Sequence, residues 1–250
     1  MSSISVDPLF FATAKISTLD DPKSNKVWKF GTGFFYGTEQ RIFLITNRHV
    51  IIDECKKYLP NVVRLSLHND PKDLRKNGTY DIPLYDVAEP LWIQQPTPPI
   101  ADIVAIPFDL QDMKKKGFFI KSFSRANLLP DNIQLEIGED IMVMGYPLGK
   151  YYDSVYNLPI IRSGIIASAY PVPYQGQPHF LIDARLHPGT SGSPVMTKSK
   201  NIWRDKQGNT NIGGSQFFLL GVNSSTWQVE GDPLGLNTAV FASIMDSLIP

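Results

Sequence analysis

Cysteine is almost absent from this chain of 250 residues, where Cys55 is the only one. No intrachain disulfide can form, so stability has to come from a packed core, as suits a reducing compartment. Cys55 itself reads as a small buried hydrophobe. Net charge is absent too: 24 basic and 24 acidic residues cancel, and nothing favours nucleic acid or an anionic membrane as a partner. The one basic run, Lys114-Lys115-Lys116, falls at an expected connection and reads as a solvated face. No apolar stretch approaches a membrane span. The N-terminal region carries Asp7 and lacks a basic segment ahead of an apolar one. Leu9-Phe10-Phe11-Ala12 is too short for the core of a secretion signal and reads as a first strand. The expected location is therefore cytoplasmic, and the sequons at Asn77 and Asn223 are chance matches. His68, His179 and His187 do not make a metal set, since there is neither a cysteine pair nor an i, i+4 histidine pair. No metal and no cofactor is expected.

What the chain does have is a soluble, globular composition, 42% apolar and 19% charged. Its length suits two lobes, and a chain this long buries roughly 70–75% of its unfolded surface. Short apolar or alternating runs bounded by Gly, Pro, Asn or Asp recur at 27–36, 41–46, 61–67, 79–85, 102–107, 132–136, 141–145, 160–169, 178–185, 215–223 and 236–241. They predict an all-β fold, sandwich or barrel. Two helices are expected, one over Val50 to Tyr58 and one from Val240, where apolar residues recur at helical spacing. The connection between lobes is placed between Gly117 and Pro130, giving lobes 1–120 and 121–250. Gln94 to Pro99 and residues 149–159 read as surface loops.

Three short segments carry chemistry. Thr46-Asn47-Arg48-His49-Val50 ends an apolar strand, Ala101-Asp102-Ile103-Val104-Ala105 opens another, and Gly189-Thr190-Ser191-Gly192-Ser193-Pro194 forms a glycine-flanked turn. A serine hydroxyl is a poor nucleophile near neutral pH and needs a base within hydrogen-bond reach. His49 is the candidate base. Asp102 would accept from its other ring nitrogen and fix the tautomer. Gly189 leaves the backbone unobstructed, so its N–H and that of Ser191 could hold an oxyanion. An α/β-hydrolase would need Gly-x-Ser-x-Gly and a later histidine; here Ser193 takes the fifth position and no histidine follows Ser191. A subtilisin would place an aspartate before the histidine in an α/β chain.

At these residues the chain resembles the trypsin-like serine protease superfamily, and within it the protease domain of the high-temperature-requirement (HtrA) type. Gly31-Thr32-Gly33-Phe34 with Ile45 to Val50 is similar to that type's Gly-Ser-Gly strand and Thr-Asn-x-His-Val segment. Asp102 to Ala105, Gly145-Tyr146-Pro147-Leu148-Gly149, Ser163 to Ile166, Asp183-Ala184 and Leu220 to Ser224 resemble further segments, so the likeness spans roughly 30–245. It implies two orthogonal six-stranded β-barrels, with a short helix after His49, a C-terminal helix, and the site between the barrels. It also implies hydrolysis of peptide bonds in a protein or peptide substrate through an acyl-enzyme. Residues 185–188 would then form one wall of the primary pocket and 223–227 the other, which names Arg185, Leu186, His187, Asn223, Ser224, Ser225 and Trp227 as substrate-binding. Leu186 and Trp227 would make a shallow apolar slot, whereas Arg185 or His187 inside it would select an acidic residue.

Departures from the family matter as well. The 250 residues leave no room for the usual peptide-binding PDZ domain, and segment 54–100 is longer than in that type. The turn ends Gly192-Ser193-Pro194, closer to glutamyl endopeptidases, whose specificity histidine would fall near Asn223. The residue before the nucleophile is Thr190, not the aspartate that pairs with a new N-terminal ammonium in trypsin-like zymogens. Two other classes remain open at this point, a catalytically silent protease fold that binds peptides and an acyl hydrolase for small esters. Oligomeric state is not legible.

Overall fold

The computed structural model describes residues 6–249 apart from 25, 39, 88, 97–100, 230 and 231. The first half of the chain forms β1 (Thr13–Leu19), β2 (Lys29–Gly37), β3 (Ile42–Thr46), β4 (Val62–His68), β5 (Asn77–Pro83), the short pair β6 (Tyr85–Asp86) and β7 (Glu89–Pro90), and β8 (Val104–Pro107). Six of these make one antiparallel sheet in the order β5-β4-β1-β2-β3-β8. The second half adds β9 (Ile133–Gln134), β10 (Asp140–Gly145), β11 (Ile160–Ile166), β12 (His179–Asp183), β13 (Pro194–Thr197), β14 (Lys200–Asp205), β15 (Thr210–Gln216), β16 (Leu219–Val229) and β17 (Asp232–Phe241). Here the strands β10-β11-β12-β17-β16-β13 close into a barrel, and β15-β14-β9 lie outside it as a three-stranded sheet.

The all-β expectation holds, with one refinement. Only the second sheet closes; the first is a half-barrel with edges β5 and β8. The outer edge of the four-residue β8 is taken by Ile93, which exchanges N–H···O bonds of 2.8 and 2.9 Å with Ala105 and so occupies the edge that closure would use.

The alternation of side chains along β3 explains how the two sheets meet. Ile42 and Leu44 enter a cluster with Ile16, Phe35 and Val104 inside the first sheet. Phe43 and Ile45 point the other way, joining Phe34, Tyr36, Met144, Met196 and Val240 in a cluster between the sheet and the barrel. Each fully buried side chain of this size contributes roughly 1.5–3 kcal/mol. That shared core fixes the surface along which the two sheets face each other.

Among the described residues three short α-helices complete the fold: α1 (Arg48–Ile51), α2 (Leu110–Lys115) and α3 (Ala242–Ser247). The helix expected over Val50 to Tyr58 is thus a single turn that starts earlier. Ile52 is already extended, Asp53 and Tyr58 bridge across a tight turn, and the Tyr58 hydroxyl donates to the Val50 carbonyl at 2.8 Å. Cys55 lies in that turn and is exposed, not buried as expected. Leu9 to Ala12 is a 3-10 turn instead of a strand, capped by Asp7 accepting from the Leu9 N–H at 2.9 Å. At the other end, Val240 and Phe241 belong to β17, and α3 begins after them. Its Asp246 accepts from Tyr36 at 2.7 Å and Arg125 at 2.9 Å. The lysine run is exposed around the C-terminus of α2, where positive charge complements the negative end of the helix dipole. Residues 97–99 of the expected Gln94–Pro99 loop lie outside the described residues. No helix among the described residues is long and apolar enough to cross a membrane.

One buried titratable group predicts a pH effect. His68 ends β4 with its ring edge-on to Phe11 and its Nε2 2.8 Å from the Tyr156 carbonyl. Burial lowers its pKa, and the bond to Tyr156 only partly opposes this. The unfolded chain therefore takes up a proton before the folded one does. The stabilising contribution is complete above the free-histidine range, about 6.5, and is lost as pH falls below it. Melting curves should show Tm dropping between pH 7 and pH 5, with a smaller drop in His68→Gln; equal drops would mean that His68 is not the group responsible.

Candidate active site

The strand β3 is buried along its whole length and stops at Asn47, which delivers His49 to the turn α1 at the edge of the inter-sheet surface. Asp102 arrives just before β8, the neighbour of β3. The Asn47 side chain donates to the Asp102 carbonyl at 2.7 Å, fixing the aspartate beside the histidine. His49 Nδ1 then lies 2.5 Å from Asp102 Oδ2, and the His49 backbone N–H donates to Oδ1 at 2.9 Å. The Ser224 hydroxyl, from β16 of the barrel, donates to the same Oδ2 at 2.7 Å. Burial alone would raise the Asp102 carboxyl, but the His49 and Ser224 bonds outweigh it and hold it below its ordinary value. An ionised acceptor thus faces the imidazole at neutral pH. Neither group is sealed from water: the side chains are 37% and 32% exposed. Below the pair, Lys29 donates to the His49 carbonyl at 2.6 Å, and its ammonium pKa is lowered, chiefly by burial.

The turn that carries Ser191 is held from both sheets. From the first sheet, Thr32 of β2 donates its N–H to the Ser191 carbonyl at 2.9 Å and its hydroxyl to the Gly189 carbonyl at 2.8 Å. The same hydroxyl accepts from the Tyr146 N–H at 3.0 Å, and Thr46 donates to the Thr32 carbonyl at 2.8 Å. From the barrel, Asn223 accepts from the Gly192 N–H at 2.9 Å, donates its own N–H to Ser193 at 2.9 Å, and donates its amide to the Thr190 carbonyl at 3.0 Å. The turn needs its glycines. Gly189 has a φ of +91°, and Gly192 has +85° with a Cβ position only 2.1 Å from the Thr32 carbonyl oxygen. The Pro188 carbonyl is engaged by the Leu148 N–H at 2.6 Å. The N–H groups of Gly189 and Ser191 donate to no acceptor among the described residues. Two unspent donors on either side of Thr190 are what a developing oxyanion would need.

Ser191 Oγ donates to the Ser224 carbonyl at 3.2 Å and makes no bond to His49. Such a bond is often absent before substrate binds, and rotation about one side-chain torsion redirects the hydroxyl. Ser224 therefore touches both Ser191 and Asp102, and it brings the Ser191 turn and the His49–Asp102 pair into one cluster.

The remaining residues expected to contact substrate separate into three groups. Ser224, Ser225 and Trp227 line a cavity of about 340 Å3 together with Asp102, Gln175 and His179. Trp227 stands edge-on to Tyr174 at 5.6 Å, and Ser225 bonds to Thr238 at 2.8 Å. Leu186 packs in the core of the closed barrel, Asn223 is buried against the Ser191 turn, and Arg185 is exposed. His187 lines a different cavity, with Leu148 and Arg162.

In the sequence Thr32 and Asn47 stand out only as members of motif-bearing segments, and Lys29 and Arg162 carry no signal. Thr32 was the most legible of these, as a hydroxyl set between two glycines in a strand otherwise rich in large apolar groups.

Against known proteins, the family model of the trypsin-like peptidase domain matches residues 31–202, more than half of the chain. That span includes Thr32, His49, Asp102 and Ser191. A search of curated proteins returns no match. With the half-barrel, the closed barrel and the glycine-rich serine turn between them, the match shows that the chain belongs to the trypsin-like peptidase family.

Proposed function

We propose that the chain is a serine endopeptidase whose triad is His49, Asp102 and Ser191, set between the lobes 1–120 and 121–250. The observation that carries this reading is the double contact of Ser224, hydroxyl to Asp102 and carbonyl to Ser191. In the proposed mechanism Ser191 Oγ attacks the carbonyl carbon of a peptide bond while His49 Nε2 takes its proton. The imidazolium is stabilised by Asp102, and the oxyanion by the N–H groups of Gly189 and Ser191. His49 then protonates the departing amine. Water, deprotonated by the same imidazole, hydrolyses the ester on Ser191 and frees the enzyme. The family fits protein or peptide substrates.

The test is a profile of new N-termini in a denatured proteome, comparing wild type with Ser191→Ala. Cleavages present only with wild type are expected, and they also read out the side chain preferred before the scissile bond. Equal profiles from the two proteins would sink the proposal.

Ordering of the oxyanion turn follows a route without ion pairs. Thr190 donates its hydroxyl at 2.7 Å and its N–H at 3.1 Å to the His187 carbonyl, while Asn223 holds its carbonyl. Neutral hydrogen bonds occupy the place where an ammonium–carboxylate pair would otherwise act. The chain that starts at Met1 is therefore expected to be active as purified. Trimming its N-terminus with a second protease should leave kcat/KM unchanged; activity that appears only after trimming would show that an ammonium is required.

A further inference from the structure

Beside the nucleophile turn lies an open cavity of about 780 Å3 that the proposed chemistry does not use. One wall is the segment from Pro147 to Asp153, joined to the turn through the Leu148 N–H and Pro188 carbonyl at 2.6 Å. His187, four residues before Ser191, forms another, and Ile160 and Arg162 of β11 form the floor. Apolar groups from Leu148 and Ile160 sit next to the cations Lys150 and Arg162.

The charge of this cavity is one-sided. Among the described lining residues its one carboxylate is Asp153, whose Oδ1 accepts the N–H groups of Val155 and Tyr156 at 3.1 Å each. Arg162 takes part in no ion pair among the described residues. Its Nε is shielded from water and meets no acceptor. A desolvated guanidinium N–H without a partner is unfavourable, and a carboxylate is the group that suits its planar fork. At the rim, Lys15 adds positive charge by donating to the Tyr152 hydroxyl at 2.9 Å.

We propose that this cavity is a specificity subsite for an acidic side chain of the peptide substrate, with the carboxylate paired to Arg162 and hydrogen-bonded by His187. It rests on the endopeptidase reading for the word substrate, but the binding it describes needs no turnover. Arg162 and His187 are specificity-determining residues in this account, and neither is assigned a part in proton transfer.

The experiment uses the full chain carrying Ser191→Ala, so that peptides bind without being cut. Fluorescent octapeptide libraries, degenerate at seven positions and holding Glu or Gln at the eighth, are titrated with the fixed position moved along the peptide. At one position Glu should bind about tenfold tighter than Gln, as for a charge-assisted pair. Adding Arg162→Gln should remove that advantage and leave the Gln library unaffected; Arg162→Lys should restore part of it, and added salt should weaken it. Equal binding of Glu and Gln at every position, or no binding of either, overturns the proposal. So does an Arg162→Gln variant that weakens both libraries alike. If Glu-dependent binding is found while wild type cleaves nothing, the subsite stands and the endopeptidase reading falls. If wild type cleaves peptides with no response to Glu or to Arg162→Gln, the reverse holds.

Discussion

Ser191→Ala or His49→Ala should each lower kcat by about 10⁶-fold on any peptide that wild type cleaves, since members of a triad act as a unit. The residues proposed for that unit lie in one hydrogen-bonded cluster. Asp102 holds His49 through Nδ1, Ser224 joins Asp102 to Ser191, and Thr32 and Asn223 fix the backbone on both sides of the serine. Removing the Ser191 hydroxyl leaves the two N–H donors and the substrate contacts in place, so KM should change far less than kcat. The double variant should be scarcely worse than either single one. Measuring kcat and KM for the three variants checks this; more than a tenth of wild-type activity in Ser191→Ala would mean that the nucleophile lies elsewhere.

The second large effect concerns Asp102. In Asp102→Asn the side chain keeps its size and can still accept the His49 backbone N–H, so the fold should survive. What changes is the partner of Nδ1. Oδ2 accepts from both His49 and Ser224, and an amide NH2 in its place would put a donor opposite both. The imidazole would then carry its proton on Nε2, where it has no lone pair to offer Ser191. The expected loss in kcat near neutral pH is on the order of 10⁴-fold. Ser224→Ala removes one of the donors that keep Asp102 ionised but leaves the tautomer intact, so its loss should be much smaller. A pH–rate series on both variants separates a tautomer effect from simple disturbance of the site. Equal losses from the two substitutions would show that tautomer control is not what Asp102 supplies.

Much of the architecture was readable because apolar alternation marks half-buried strands plainly. β3, β8, β10 and β12 fall where the runs at 41–46, 102–107, 141–145 and 178–185 predict them. The misses have physical causes. β1 holds Thr13, Ser17 and Thr18, buried hydroxyls that interrupt the apolar signal of an inner strand. β15 is exposed throughout and carries almost no hydrophobic pattern; with β14 it forms a hairpin fixed by Asp205, which accepts from the N–H groups of Gln207 and Asn209. β16 runs on past Asn223 through polar residues, across register shifts, because Ser225 and Thr226 bond to Thr238 and Asn237 of β17. The helix α2 did leave a signal, in Asp109, whose side chain caps Gln111 and Asp112 at 2.9 Å.

Within the candidate site, the grouping of His49, Asp102 and Ser191 was legible because the proposed chemistry ties residue type to order along the chain. The walls around them were not. Whether Leu186 faces a cleft or a core, and whether Asn223 meets substrate or grips the turn, depends on packing that spacing does not encode. Arg162 left no mark at all, since a lone arginine in an alternating strand looks like an ordinary solvated residue.

The account stands most directly on the reactivity of one hydroxyl. Incubating the purified chain with a fluorophosphonate and measuring intact and peptide masses reports that reactivity without any choice of substrate. The account predicts a single adduct per chain, on the peptide containing Ser191, absent in Ser191→Ala and formed far more slowly in His49→Ala. An unmodified wild-type chain, or an adduct on another residue with Ser191 untouched, would contradict it.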